Sequence, residues 1–223
     1  MNGKTREMIG TFFMKHLFGN RKVKVQEGRK HIACLGDSIT FGAGVNGNPS
    51  MTWEVLWNRK IGDDWQVLNY GVSGRTLQDT GDYPYTKDRI YRDSLACEAD
   101  VYLIMFGTND AKPQNWNEDR FRRDHEDFVK RYLDLPNHPK VVLLIPPYCF
   151  PEGSGPIAPF GIDVRNFDSI ISAVNKTAEK YGLQTVDLYT LTEGHPEWFA
   201  DGVHPNLEGN TRIAEHLSQE LRL

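Results

Sequence analysis

The chain has 223 residues, of which 39% are hydrophobic, 11% aromatic and 25% charged. That is the profile of one domain with a buried core, and it excludes a disordered or fibrous protein. Lys and Arg number 26 against 30 Asp and Glu, a net charge of −4, so no global positive field is present to gather nucleic acid or anionic lipid, and the expected partner is a small molecule.

Residues 1–30 carry a net +6, which leaves −10 for the remainder. Their apolar run, Met8 to Met14, is short, ends at Lys15 and His16 and lacks a small-residue cleavage site. We therefore expect no signal peptide and a chain starting at Met1, with Arg6 to Phe18 either a partly ordered arm or a short helix packed on the domain or on another subunit. No run approaches the ~18 apolar residues of a membrane span. Cys34, Cys97 and Cys149 are odd in number and scattered, which predicts free thiols and a cytoplasmic location.

From residue 31 to residue 223 the pattern predicts a single domain in which apolar strands alternate with amphipathic helices. The first predicted strand, His31 to Leu35, runs into Gly36-Asp37-Ser38-Ile39-Thr40. A serine there stands where unpaired backbone N–H groups can stabilise an oxyanion, although Asp-Ser after a strand is also ordinary turn or helix-cap chemistry. A helix is predicted over Trp53 to Ile61 and a strand over Trp65 to Asn69. The strand leads into Asn69-Tyr70-Gly71-Val72-Ser73-Gly74-Arg75-Thr76. Here Arg75 stands where a Gly-x-Ser-x-Gly nucleophile elbow would need its last glycine, so Ser73 is set aside.

A helix over Lys87 to Glu98 precedes a strand over Asp100 to Phe106, and Gly107-Thr108-Asn109-Asp110 follows. The Asn109 amide is a neutral donor suited to an oxyanion, or simply a turn residue. A helix over Glu118 to Leu135 and a strand over Lys140 to Ile145 come next. The Pro- and Gly-rich stretch Pro146 to Gly161 then leaves the sheet at the ligand edge. The last elements are a helix over Arg165 to Tyr181, a strand over Leu183 to Leu188 and a helix over Leu207 to Leu221. Before that final helix lies Asp201-Gly202-Val203-His204-Pro205, whose Asp and His can pair as an oriented base, bind a metal or cap the helix. No second cluster with zinc-ligand spacing accompanies them, so neither metal nor cofactor is expected.

Together, Gly36 to Thr40, Asn69-x-Gly71-x-x-Gly74-x-Thr76, Gly107 to Asp110 and Asp201 to Pro205 resemble the four sequence blocks of the SGNH hydrolases, the GDSL-type esterases. Order and spacing match across residues 31–223, with Ile39 in place of the leucine in Gly-Asp-Ser-Leu. The resemblance implies a three-layer α/β/α sandwich on a five-stranded parallel sheet. It implies Ser38 as nucleophile, His204 as general base and acid, and Asp201 as its orienting partner. The implied oxyanion donors are the Ser38 and Gly74 backbone N–H groups and the Asn109 side chain, and the implied chemistry is ester hydrolysis through an acyl-enzyme.

The ester itself is not named by such a scaffold. A mean hydropathy of −0.53 and the lack of an apolar lid argue against long acyl chains. Residues Gly107 to Trp116 are similar to a stretch of some bacterial carbohydrate O-acetylesterases. Trp116 is therefore expected to offer a face to a sugar ring or to pack beneath its loop. Gln114 and Asn115 are candidates for hydroxyl contacts, and Tyr148, Phe150 and Phe160 for the pocket wall. A thioesterase or lysophospholipase, a broad arylesterase and a non-catalytic carbohydrate-binding module are the alternatives.

Overall fold

The structure, a computed structural model, describes residues 23–46 and 48–223. The expected arm or helix over Arg6 to Phe18 lies outside the described residues. Strand β1 (Lys30–Gly36) leads directly into the four-residue helix α1 (Ser38–Phe41), followed by α2 (Trp53–Ile61) and β2 (Trp65–Gly71). Then come α3 (Arg89–Ala96), β3 (Val101–Met105), α4 (Glu118–Leu133) and β4 (Lys140–Ile145). A two-residue hairpin, β5 (Ile157–Ala158) and β6 (Ile162–Asp163), precedes α5 (Phe167–Tyr181), β7 (Gln184–Asp187), α6 (Leu188–Thr192) and α7 (Leu207–Glu220).

The main sheet has five strands in the order β2-β1-β3-β4-β7, and all its pairings are parallel. Its strands are apolar on both sides because successive side chains point to opposite faces. Ala33, Leu35, Tyr102, Ile104 and Leu143 join one core, with Phe121, Phe128 and Tyr132 of α4 and Ile170 and Val174 of α5. Ile32, Cys34, Val101, Leu103 and Leu144 join the other, with Trp53 and Trp57 of α2 and Ile213 and Leu217 of α7. The result is the expected three-layer α/β/α sandwich.

Several boundaries move for local reasons. The helix expected over Lys87 to Glu98 is shorter, because Asp88 is its extended N-cap residue and Glu98 has a positive φ of 48°. The strand expected from Asp100 starts at Val101, and the Asp100 carboxylate instead accepts the His31 backbone N–H at 2.7 Å. Helices α1 and α6 and the β5–β6 hairpin fall outside the expected elements; each is too short to carry a periodic signal. Among the described residues no helix is long and apolar enough to cross a membrane.

Parallel strands end at one edge. The loops after β1, β2 and β3 therefore open side by side there, which is where α/β sheets hold ligands.

Candidate active site

Ser38 is the first residue of α1, and the side chain of Asp37 caps that helix by accepting the Ile39 N–H at 2.9 Å. The turn closes at Gly42, whose φ of 92° lets its N–H reach the Ser38 carbonyl. Asp37 is only 1% exposed. Burial pushes its carboxyl up to about 6, against the Ile39 N–H, the charges of His204 and Lys112 and the Asn109 amide, which pull it down.

The Ser38 Oγ lies 2.8 Å from Nε2 of His204, across a gap that no sequence proximity bridges. The ring's Nδ1 is 2.7 Å from Oδ2 of Asp201, while Oδ1 of Asp201 accepts the backbone N–H groups of His204 at 2.8 Å and Val203 at 3.1 Å. Burial pushes the Asp201 carboxyl up, but these bonds and the His204 ring outweigh it and hold it below the ordinary carboxylate range. An ionised Asp201 accepts the Nδ1 proton and leaves Nε2 as the acceptor for the serine O–H.

The His204 segment is itself fixed. The Ala200 N–H donates to the His204 carbonyl at 2.8 Å, and Asn210 of α7 donates to the Pro205 carbonyl at 2.7 Å while accepting the Trp53 N–H at 2.9 Å. Gly44 packs against the same segment so closely that a Cβ there would stand 2.2 Å from the Pro205 carbonyl oxygen.

Asn109 follows β3. Its backbone carbonyl is held by the Asn115 side chain at 2.9 Å, and its amide donates one hydrogen to Asp37 at 3.3 Å, which leaves the second N–H to donate elsewhere. Asp110 is buried and accepts the Leu77 and Gln78 N–H groups at 3.0 and 2.8 Å. Burial pushes its carboxyl up to about 6, opposed by those two N–H groups. Asn69 donates to the Thr40 carbonyl at 2.6 Å and to Glu54, and accepts the Gly71 N–H at 2.9 Å. The loops after β1, β2 and β3 are thus tied to one another by buried side chains. The sequence hints at these ties only as polar residues flanking each motif.

A cavity of about 130 Å³ opens over these groups, bordered by Ser38, Gly74, Asn109 and His204 and walled by Ala43, Phe160, Ile162 and Val203. Lys112 also lines it, a residue the sequence did not single out. The arrangement can pass a proton from a serine hydroxyl to an imidazole beside neutral N–H donors.

Of the residues expected around the substrate, Gln114, Asn115, Trp116, Tyr148 and Phe150 do not line the cavity. Trp116 turns inward instead, its ring 5.6 Å from that of Phe121, as the packing alternative required. The Tyr148 ring packs at a tilt against Phe150 and Tyr189, with centroids 4.8 and 5.0 Å away, because the first residues after β4 fold back towards α6, where the Tyr148 N–H donates to Thr192. Asn115 is likewise buried, and the Gln114 amide donates to Asp82. Of the aromatics on the Pro-rich stretch, Phe160 reaches the cavity, 5.0 Å from the His204 ring.

The chain resembles known proteins in sequence and in fold. Residues 34–212 match the GDSL-like Lipase/Acylhydrolase family. An acetylxylan esterase of Xylanibacter ruminicola is 32% identical over 211 residues, covering 86% of this chain and 43% of that protein. The chain therefore spans under half the length of that relative. Among solved structures, a carbohydrate acetylesterase from Sinorhizobium meliloti superposes with a TM-score of 0.70 at 19% identity, covering 86% of this chain and 97% of that one. An aryl esterase of M. smegmatis superposes with a TM-score of 0.67 at 22% identity, covering 86% and 100%.

Proposed function

The chain belongs to the GDSL-like lipase/acylhydrolase family, and from that premise we propose that it is a serine esterase that removes short acyl groups, acetyl foremost, from a carbohydrate. The observation that carries the reading is the unbroken hydrogen-bond chain from Ser38 Oγ through His204 to Asp201, with links of 2.8 and 2.7 Å.

In this mechanism His204 Nε2 takes the Ser38 proton as Oγ attacks the ester carbonyl carbon. The electron pair moves to the carbonyl oxygen, to which the Ser38 and Gly74 backbone N–H groups and the Asn109 amide donate hydrogen bonds. Asp201 stabilises the imidazolium. Collapse of the intermediate breaks the bond between the carbonyl carbon and the sugar oxygen, which takes the proton from His204 and departs as a hydroxyl, leaving the acyl group on Ser38. Water, deprotonated by the same imidazole, attacks that acyl-enzyme, and a second collapse releases the acid and restores Ser38.

The acyl preference is supported by the small cavity walled by Ala43, Phe160, Ile162 and Val203. The carbohydrate is supported by the relative that acts on acetylxylan. The test is hydrolysis of p-nitrophenyl esters. Wild type should turn over the acetate better than the octanoate, and Ser38→Ala should lose activity by several orders of magnitude without unfolding. A near-normal kcat in Ser38→Ala would remove Ser38 as nucleophile. Because an apolar channel gains up to ~0.8 kcal/mol per added methylene, kcat/KM rising from acetate to octanoate would replace the short-acyl reading with a lipase-like one.

A further inference from the structure

Beside the catalytic cavity lies a second, larger recess of about 290 Å³, lined by Arg75, Asp82, Tyr83, Pro84 and Lys87, with Gly81 and Asp88. We infer that this cleft is a binding subsite for neutral sugar units adjoining the acylated one, an inference that rests on the carbohydrate reading above.

The linings of the two recesses are linked at two points. Gly74 lines the cavity and the next residue, Arg75, lines the cleft. The Arg75 guanidinium also donates at 2.9 Å to the carbonyl of Ser73, itself a cavity residue. On another side, Lys112 lines the cavity, while Asp82 in the cleft accepts a hydrogen bond from Gln114, two residues further along, at 3.1 Å. Desolvation by burial lowers the Lys112 ammonium, and Asp82 is the first of the carboxylates that counter it. A substrate whose acyl group sits against Ala43, Phe160, Ile162 and Val203 must carry its alcohol portion out of that small cavity. The cleft, whose lining adjoins that of the cavity at Gly74 and Arg75, is the space inferred to receive it.

The chemistry of the cleft selects the occupant. Arg75 and Lys87 are matched by Asp82 and Asp88, so the walls carry no net charge and do not favour a uronate or a phosphate. Arg75 is already engaged by Asp88, its NH2 group at 3.1 Å from that carboxylate. What remains are the exposed edges of Asp82 and of Lys87, whose ammonium donates to the Asp79 carbonyl at 3.2 Å, beside Tyr83, whose aromatic ring has the Arg75 guanidinium 5.9 Å from its centroid. Hydroxyl-rich neutral rings match such a lining, since they present hydrogen-bonding edges and apolar C–H faces together.

The test is chain-length dependence. The protein is assayed on mono-acetylated xylose, on mono-acetylated xylotriose and on phenyl acetate, which has no sugar. Wild type should show a higher kcat/KM on the xylotriose ester than on the xylose ester, by about tenfold, the effect of roughly one well-made contact. In Tyr83→Ala, and separately in Lys87→Met on an exposed side chain, the ratio of xylotriose ester to phenyl acetate activity should fall by a similar factor. Lys87→Met keeps the inference testable if Tyr83→Ala does not fold. Equal activity on the two sugar esters, or variants that lower sugar and phenyl esters in proportion, would overturn the cleft and leave the carbohydrate reading standing. Turnover of phenyl acetate with none of either sugar ester would overturn both.

Discussion

Asn109 shows how one side chain is fixed in position. Its side-chain amide has two N–H groups, one spent on Asp37 at 3.3 Å, and its backbone carbonyl is held by Asn115, so both the main chain and the amide are anchored before any substrate arrives. A donor fixed in advance contributes most where charge develops, because no reorganisation is needed at the moment of reaction. Asn109→Ala should therefore lower kcat by ~10²–10³ with little change in KM. Steady-state kinetics on p-nitrophenyl acetate read this directly, and a loss confined to KM would assign Asn109 to ground-state binding.

At the scale of elements, four loops from distant parts of the chain are held in register by close approach as much as by hydrogen bonds. Gly44 follows α1, and a Cβ there would meet the backbone carbonyl oxygens of Pro205 at 2.2 Å and His204 at 2.7 Å. Backbone atoms cannot swing aside as a flexible side chain can. Gly44→Ala should push the His204 segment away from α1, lengthening the 2.8 Å contact between Nε2 and Ser38 Oγ, and overpacking of this kind costs about 1–3 kcal/mol. The expected outcome is a lower melting temperature together with a fall in kcat. A variant that loses stability but keeps full kcat would show that the loop carrying His204 relaxes without moving its ring.

Across the whole molecule, buried titratable groups set opposing responses to pH. His125 is buried between α4 and α5, its Nδ1 3.0 Å from the Thr177 hydroxyl, and burial lowers it from 6.5 to about 4. In that interval the unfolded chain binds a proton that the folded one refuses. The contribution of His125 is thus fully present above about 6.5 and is lost as pH falls towards 4. Asp37 and Asp110 act in the opposite sense, since burial raises each from 3.8 to about 6. Their contribution is present below 3.8 and is lost as pH rises through about 6. A comparison of variants separates the two. Relative to His125→Gln, wild type should lose about 2 kcal/mol on going from about pH 7 to pH 5 in urea melts. A difference independent of pH would mean that His125 is accessible to protons in the folded state.

The sequence by itself determined the layers and offered the residues proposed to react. Continuous apolar strands such as Val101 to Met105 can only be buried on both faces, and Gly36-Asp37-Ser38, Gly107-Thr108-Asn109-Asp110 and Asp201-x-x-His204 are short runs whose chemistry is legible without knowing their neighbours. Only the tertiary structure decided which side of a loop faces substrate. Trp116 and Lys112 lie on one short loop, yet Trp116 packs on Phe121 and Lys112 lines the cavity. That choice depends on α4 and on the segment around Phe160, elements that approach from elsewhere in the chain. The cleft of Arg75 to Lys87 was hidden for the same reason. Local pattern records whether a residue will be buried or hydrogen-bonded, while a cavity is the space left between segments, and its position depends on contacts that no single segment encodes.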